Sequence, residues 1–351
     1  MGKRSAPNQR VSSFRAMFSG IALLGVTTLA TGACLAGSTL RSTLESPTEA
    51  DVARLWLEPS DLQDRDLFYG SGGKALMPDP ATPFTFIAAD STGYSGGYDV
   101  RGPDGMEWSV KVGREAQPEV VMSRILWALG YHQPPTYYLP NWTMTGAQSG
   151  PQEAGRFRPK LPDRKVVAEW SWYENDFLTT QPFKGLVVAN VMLNNWDWKT
   201  SNNKVYETAG QDGGARQQVL VVQDLGASLG KTAYPVFLKW LPMRRLGQGS
   251  RNDLEDFEGQ GFIKGVDGTR VDFDYRGIHR SLIETLSTND IVWTSRLMAR
   301  LSDAQWQDAF CAGGYDDEQA RRYIAKIKTK VAEGLEVAGG RAREVAALDV
   351  N

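Results

Sequence analysis

The segment NNWDWKTSNN, Asn194 to Asn203, holds one carboxylate, one ammonium and four amides within ten residues. Asn and Asp compete with regular backbone by bonding to it locally, so this composition reads as a loop. Its chemistry is that of proton acceptance, charge neutralisation and oxygen donation, from Asp197, Lys199 and Asn202 in the spacing D-x-K-x-x-N. A second carboxylate, Asp224, ends the hydrophobic run VVQDLG, and Lys111 stands inside WSVKV. Ahead of Lys111 comes the glycine-rich STGYSGG with Gly93, Gly96 and Gly97.

Residues so far apart need elements to hold them. The loop follows the apolar FKGLVVANVML and leads into the strand-like KVYE; QQVLVVQDLG reads as a further strand. FTFIAAD is β-like, and YDVRGPDGMEWSVKVG reads as a hairpin turning at Gly102–Gly105. Its second arm alternates, with Trp108 and Val110 on one side and Ser109 and Lys111 on the other. QPEVVMSRILWALGY predicts a helix with Pro118 in its first turn and Glu119 beside it. Val121, Ile125, Leu126 and Leu129 share one face of it, and Gly130 is its stop. PPTYYLP is extended, TGAQSGPQEAGRFRPKLPDRK reads as a poorly ordered or hairpin-like connector, and from WSWYENDFL onward the chain reads as mostly helical. The tail predicts one helix through Trp293, Leu297 and Leu301 and another through Tyr323, Ile327 and Val331, with a Ser302–Gln305 capping box between them.

In this order the motifs form a pattern. DWKTSN matches the protein-kinase catalytic loop at its three informative positions, Asp224-Leu225-Gly226 follows a hydrophobic strand as D-F-G does, and Lys111 sits in a strand between a glycine-rich turn and a helix. Over roughly Phe84 to Gly226 the chain resembles the protein-kinase-like superfamily. It is nearest the atypical branches: lipid kinases, HipA-like toxins and secreted kinase-like proteins of the CotH type. The resemblance implies an α+β, two-lobed fold, with a small β-rich lobe and hinge over 81–140 and a larger helical lobe over 141–345. It implies ATP and Mg²⁺ as cofactors, and phosphoryl transfer to a hydroxyl on an unidentified protein or small molecule. Such transfer needs positioning and charge neutralisation above all. By resemblance Asp197 would orient the acceptor hydroxyl and Lys199 would neutralise the transferred phosphate. Asn202 and Asp224 would supply hard oxygens to Mg²⁺. Lys111, paired with Glu119, would bind the inner phosphates; Gly93, Gly96 and Gly97 would let backbone amides approach them. Tyr138, in a hinge at Tyr137–Leu139, would lie beside adenine.

The departures are specific. Trp196 stands where Arg follows His in H-R-D, Leu225 replaces Phe, and no A-P-E follows Asp224, which removes the usual peptide platform. Glu119 is only eight residues beyond Lys111, and Glu115 competes for the same partner. Two other functions fit the same cleft: a non-catalytic kinase-like module binding a ligand or partner at the cell envelope, and nucleotidyl transfer. Intact Lys111, Asp197, Asn202 and Asp224 favour phosphoryl chemistry.

Other chemistries find less support. GASLGKT, Gly226 to Thr232, is one residue short of a phosphate-binding P-loop. The only two histidines, His132 and His279, have no metal-spaced partners and read as structural. A net charge of −2, with Lys and Arg scattered, argues against nucleic acid as a partner.

At the start, Lys3, Arg4, Arg10 and Arg15 precede the apolar AMFSGIALLGVTTLA and the small residues of TGAC. This reads as a secretory signal over 1–33. Cys34 stands where a lipoprotein lipobox places its acylated cysteine, so export to the cell envelope, with a lipid anchor in the membrane, is the expectation. Residues 34–80 read as a tether and N-terminal extension. With Cys311 the only other cysteine, no disulfide framework supports the fold; a Cys34–Cys311 bridge and lipidation exclude one another.

Overall fold

The computed structural model describes residues 46–91, 94–208, 216–232 and 249–348. The export segment with Cys34, and Gly93 of the glycine-rich turn, lie outside the described residues. The chain enters through α1 (Glu49–Ala53), started by a Thr48–Asp51 capping box. It then lays Leu55, Leu62 and Leu67 into the main core, so this part of the extension is packed.

The small lobe is one seven-stranded sheet. Its strands are β1 (Phe84–Asp90), β2 (Gly97–Arg101), β3 (Glu107–Val112), β4 (Tyr137–Leu139), β5 (Trp142–Thr145), β6 (Gly150–Gln152) and β7 (Gly155–Pro159), in the order β4-β7-β3-β2-β1-β5-β6. Every pairing is antiparallel except β1 with β5. The expected hairpin joins β2 and β3, with Gly105 in the left-handed region at its turn. Trp142 of β5 and Phe157 of β7 are separated by three strands, yet their rings lie 5.1 Å apart. In a flat sheet, strands four places apart would be roughly 19 Å from each other. The sheet is therefore curled, and Phe84, Val100, Trp108, Val110, Trp142 and Phe157 fill its inside. The alternation read in β3 holds: Trp108 and Val110 point into this core, Ser109 and Lys111 away from it.

Two expectations are overturned here. Tyr137–Leu139 is an edge strand of the small lobe, not a hinge. Gly155–Pro159, read as part of a connector, is an inner strand between β3 and β4. The small lobe thus runs to Pro159 rather than ending at 140, and the chain crosses at Lys160–Asp163. The reason is long range: β5 and β6 leave between β4 and β7 to close the far edge, and β7 returns to the middle.

Between β3 and β4 runs α2 (Ala116–Ala128), ended by Gly130 in the left-handed region. It is buried nearly all round rather than on one face, because it is packed on both sides. After the crossover, β8 (Arg164–Glu169), β9 (Asn203–Thr208) and β10 (Gln217–Val222) form a second sheet in the order β10-β9-β8. The WSWYENDFL stretch is not helical; it contributes Trp170, Trp172 and Phe177 to the core. The large lobe is built on α3 (Gln181–Met192), capped by Thr180 and buried nearly all round from Gly185 to Met192, as a central helix must be. Around it come α4 (Leu254–Gly259), the hairpin β11 (Ile263–Asp267) and β12 (Arg270–Phe273), then α5 (Arg280–Ile283), α6 (Thr288–Ala299), α7 (Asp303–Ala312) and α8 (Asp317–Leu348). The Ser302–Gln305 box starts α7, between the two tail helices read from periodicity. The result is a mixed α+β architecture of a curled sheet followed by a helical lobe.

Candidate active site

Strand register brings the loop and the D-L-G segment together. In the β9–β10 pair, Asn203 faces Val222, and the Gln223 amide donates to the Asn202 carbonyl at 2.9 Å. Asn202, just before β9, and Asp224, just after β10, therefore leave the same end of the sheet. The four asparagines of the loop hold it in place. Asn195 Nδ2 donates to Asn190 Oδ1 of α3 at 2.7 Å, while its own Oδ1 accepts from the Asp197 amide at 3.2 Å. Asn194, in the left-handed region, donates to the Gly230 carbonyl and accepts from the buried Lys330 of α8. Asn202 Nδ2 donates to the Asp197 carbonyl at 2.9 Å, which turns its amide oxygen to other use. Asn203 Nδ2 donates to the Trp170 carbonyl, away from the site. Asp197 itself is ion-paired with the exposed Lys199 at 2.7 Å.

Lys111 meets the Asp224 segment from the small-lobe sheet. Its Nζ lies 2.9 Å from Glu119 Oε2, 3.5 Å from Glu115 Oε2, and in contact with Asp224 Oδ1. Burial lowers the pKa of this ammonium, but Glu119, Asp224 and Glu115 outweigh that and raise it above the ordinary lysine value. Asp224 is in the left-handed region, which Asp tolerates better than most residues. Glu119 rather than Glu115 is the close partner. Glu115 turns instead to Ser95 Oγ at 2.8 Å and to Arg251. Gly97 is required in the turn: a Cβ there would lie 2.5 Å from the Val110 carbonyl. Gly96 meets no such obstacle, its nearest neighbour being Val112 at 3.8 Å.

Sequence reading missed several residues here. Arg156 and Arg158 alternate with Phe157 on β7, a period-two signal overlooked in the connector, and both reach Glu119, at 3.1 and 2.5 Å. Glu119 is buried against three cations; burial pushes its pKa up, and Arg156, Lys111 and Arg158 hold it down to about 2. Arg158 also donates to Gln223, which reaches Tyr206. Tyr138 is not beside this cleft. Its ring packs on Gly314, where a Cβ would come within 2.2 Å, because the residue lies on an edge strand facing the α7–α8 turn. The pocket at the crossover is instead about 290 Å³, between Ser109, Arg158, Leu161 and Tyr206. Lys231 of the P-loop-like GASLGKT is paired with Asp256.

His279, read as structural, stacks on Trp198 at 5.0 Å, and its Nδ1 lies 2.7 Å from the Tyr173 hydroxyl. Burial lowers its pKa to about 4, with Asp197 and a hydrogen bond to the Trp196 backbone acting the other way. Below about 6.5 the unfolded chain takes up a proton that the folded chain refuses until about 4. Stability therefore falls as pH falls through that window, by up to about 3 kcal/mol. His132, also lowered by burial, adds to the slope. Denaturation midpoints between pH 7 and 4 test this. The slope of His279→Gln is expected to be shallower than that of the native chain, and an unchanged slope would refute it.

No protein-family model matches the chain, and no curated protein matches it. Among solved structures, the chain is similar to the crystal structure of a Helicobacter pylori proinflammatory kinase, CtkA. The match covers 76% of this chain and 99% of that one, with 14% identity and a TM-score of 0.42. A likeness that loose carries no argument for function.

Proposed function

We propose that this chain is a Mg²⁺- and ATP-dependent phosphotransferase with an unidentified hydroxyl acceptor. The observation that carries the reading is the meeting of Lys111 with both Glu119 and Asp224, at the sheet end where Asp197 and Asn202 emerge. The donor set fits Mg²⁺: one carboxylate and one amide oxygen leave positions for phosphate oxygens and water, the arrangement this cation prefers. Asp224 and Asn202 would hold it. The bound cation would neutralise charge on the phosphates, and Lys111, released from Asp224, would bind the inner ones.

Glu119 fixes the Lys111 ammonium, and backbone amides of the glycine turn would approach the phosphates. Asp197, held by Asn195 and Asn202, accepts the proton of the attacking hydroxyl. The base would enter the pocket at Leu161. Arg158 and Tyr206 line that pocket and are available to contact it. On the acceptor side, a cleft of about 670 Å³ runs beside Tyr275 and Ile278. Tyr275 packs on Trp198, the neighbour of Asp197. Export and a lipid anchor at Cys34 belong to the same reading and rest on residues 1–34 alone.

Mg-ATP at about a hundredfold over its dissociation constant is expected to stabilise the fold by roughly 2.7 kcal/mol. Asp224→Ala is expected to remove the Mg²⁺-dependent part of that shift. Thermal melts with ATP, GTP and each nucleotide without metal provide the check. No shift with any of them would end the phosphotransferase reading; a shift without turnover would favour the non-catalytic module.

A further inference from the structure

Arg251 has no part in the roles assigned so far, yet it occupies a singular place. Its side chain is only 11% exposed, and its guanidinium is ion-paired to Glu115. It lies over the ring of Tyr94 at 3.8 Å and the ring of Trp196 at 4.7 Å. Tyr94 and Ser95 belong to the glycine turn, and Ser95 shares the same Glu115 carboxylate. Trp196 immediately precedes Asp197, and its indole N–H donates to the Ser250 carbonyl at 2.9 Å. Gly226 of the D-L-G segment is packed so closely on Glu115 that a Cβ there would lie 2.4 Å from the Glu115 Cβ. One guanidinium thus stands where the glycine turn, the Asp197 loop and the Asp224 segment meet.

The backbone on either side is anchored, with the Ser250 amide donating to the Lys231 carbonyl and the Asn252 amide to the Ser228 carbonyl, both at 3.0 Å. Asn252 Nδ2 donates to Gln117 Oε1 at 3.0 Å, and the Tyr315 hydroxyl donates to Asn252 Oδ1 at 2.6 Å. The side chain can therefore change partner without moving the segment. Guanidinium binds carboxylate and phosphate with the same planar fork, so Glu115 is the kind of partner a phosphate would displace. Its loss would not strand Glu115, which keeps Ser95 and has Lys111 at 3.5 Å.

We infer that Arg251 senses the terminal phosphate of a nucleoside triphosphate: it is held by Glu115 in the nucleotide-free cleft and transfers to the γ-phosphate when Mg-ATP binds. This rests on the phosphotransferase reading, in which the terminal phosphate lies between the glycine turn and Asp197. An arginine supplied from within the chain can serve such a group by neutralising its charge.

The test is calorimetric affinity for Mg-ATP and Mg-ADP in the native chain, Arg251→Gln and Glu115→Gln. Arg251→Gln is expected to weaken Mg-ATP by about 10- to 100-fold and Mg-ADP by less than about threefold. Glu115→Gln, which frees the guanidinium, is expected to tighten Mg-ATP and leave Mg-ADP nearly unchanged. Equal losses for both nucleotides in Arg251→Gln would make the residue a structural clasp and overturn the inference. A native chain that binds neither nucleotide would instead remove the phosphotransferase reading beneath it. If Arg251→Gln does not fold, Arg251→Lys, which keeps the charge and loses the fork, gives the same comparison.

Discussion

Asp197→Asn is expected to lower phosphoryl transfer, or ATP hydrolysis in the absence of acceptor, by about 10²- to 10⁴-fold while leaving Mg-nucleotide affinity nearly unchanged. The substitution is nearly isosteric, and the contacts that shape the loop do not use the carboxylate. The Asp197 amide donates to Asn195, and its carbonyl accepts from Asn202. What disappears is a proton acceptor and an ion pair to Lys199, whose side chain is 65% exposed. A pair so exposed contributes about 1 kcal/mol at most. Asn202→Ala differs in kind: it removes the support of the Asp197 carbonyl and an oxygen available to Mg²⁺, so metal-dependent affinity and rate fall together. Asn203→Ala is the contrast, because that side chain points to Trp170 and is fully buried, so its loss costs stability first. Rates and affinities for the three variants decide the matter. Small, equal effects at all three would reduce the loop to a polar turn.

Glu119→Ala is expected to destabilise the protein by about 3–5 kcal/mol, a drop on the order of 10 °C in melting temperature. The physics is that of a buried charge stripped of its partner. Arg156 and Arg158 converge on this one carboxylate from β7, and Arg156 also donates to the Ser109 carbonyl. Burial already lowers the Arg156 pKa to about 10 even with Glu119 present. Lys111→Met is expected to be milder for the fold than Glu119→Ala, because it strands no buried charge without a partner. Glu119 keeps two arginines, and Asp224, being partly exposed, returns to water. The same Lys111→Met is expected to abolish nucleotide stabilisation. Glu119 thus serves the fold and the site, Lys111 the site alone. Denaturant titrations of both variants, with and without Mg-ATP, separate these roles, and equal destabilisation by the two would contradict them.

Much of this was legible in local sequence because the physics is local. Glycine at Gly105 and Gly130 marks backbone that other residues enter at a cost, the Ser302–Gln305 box satisfies a helix's first amides, and period-two alternation put Lys111 on the face away from the small-lobe core. Asp197, Asn202 and Asp224 were grouped by their resemblance to a known motif order; the β9–β10 pairing that carries Asn202 and Asp224 to one sheet end came from the structure. What only the tertiary structure decided was partnership across long separations. Lys111 and Asp224 are 113 residues apart. No periodicity says that β7 inserts between β3 and β4, that Tyr138 therefore faces Gly314 rather than the cleft, or that two arginines therefore line it. Nor does it say that Glu115 belongs to Arg251 and Glu119 to Lys111, because both glutamates open the same helix and differ only in what the fold brings against them. Strand order and lobe closure are set by how the whole apolar surface is buried, and a charged side chain takes whichever partner that burial leaves within reach.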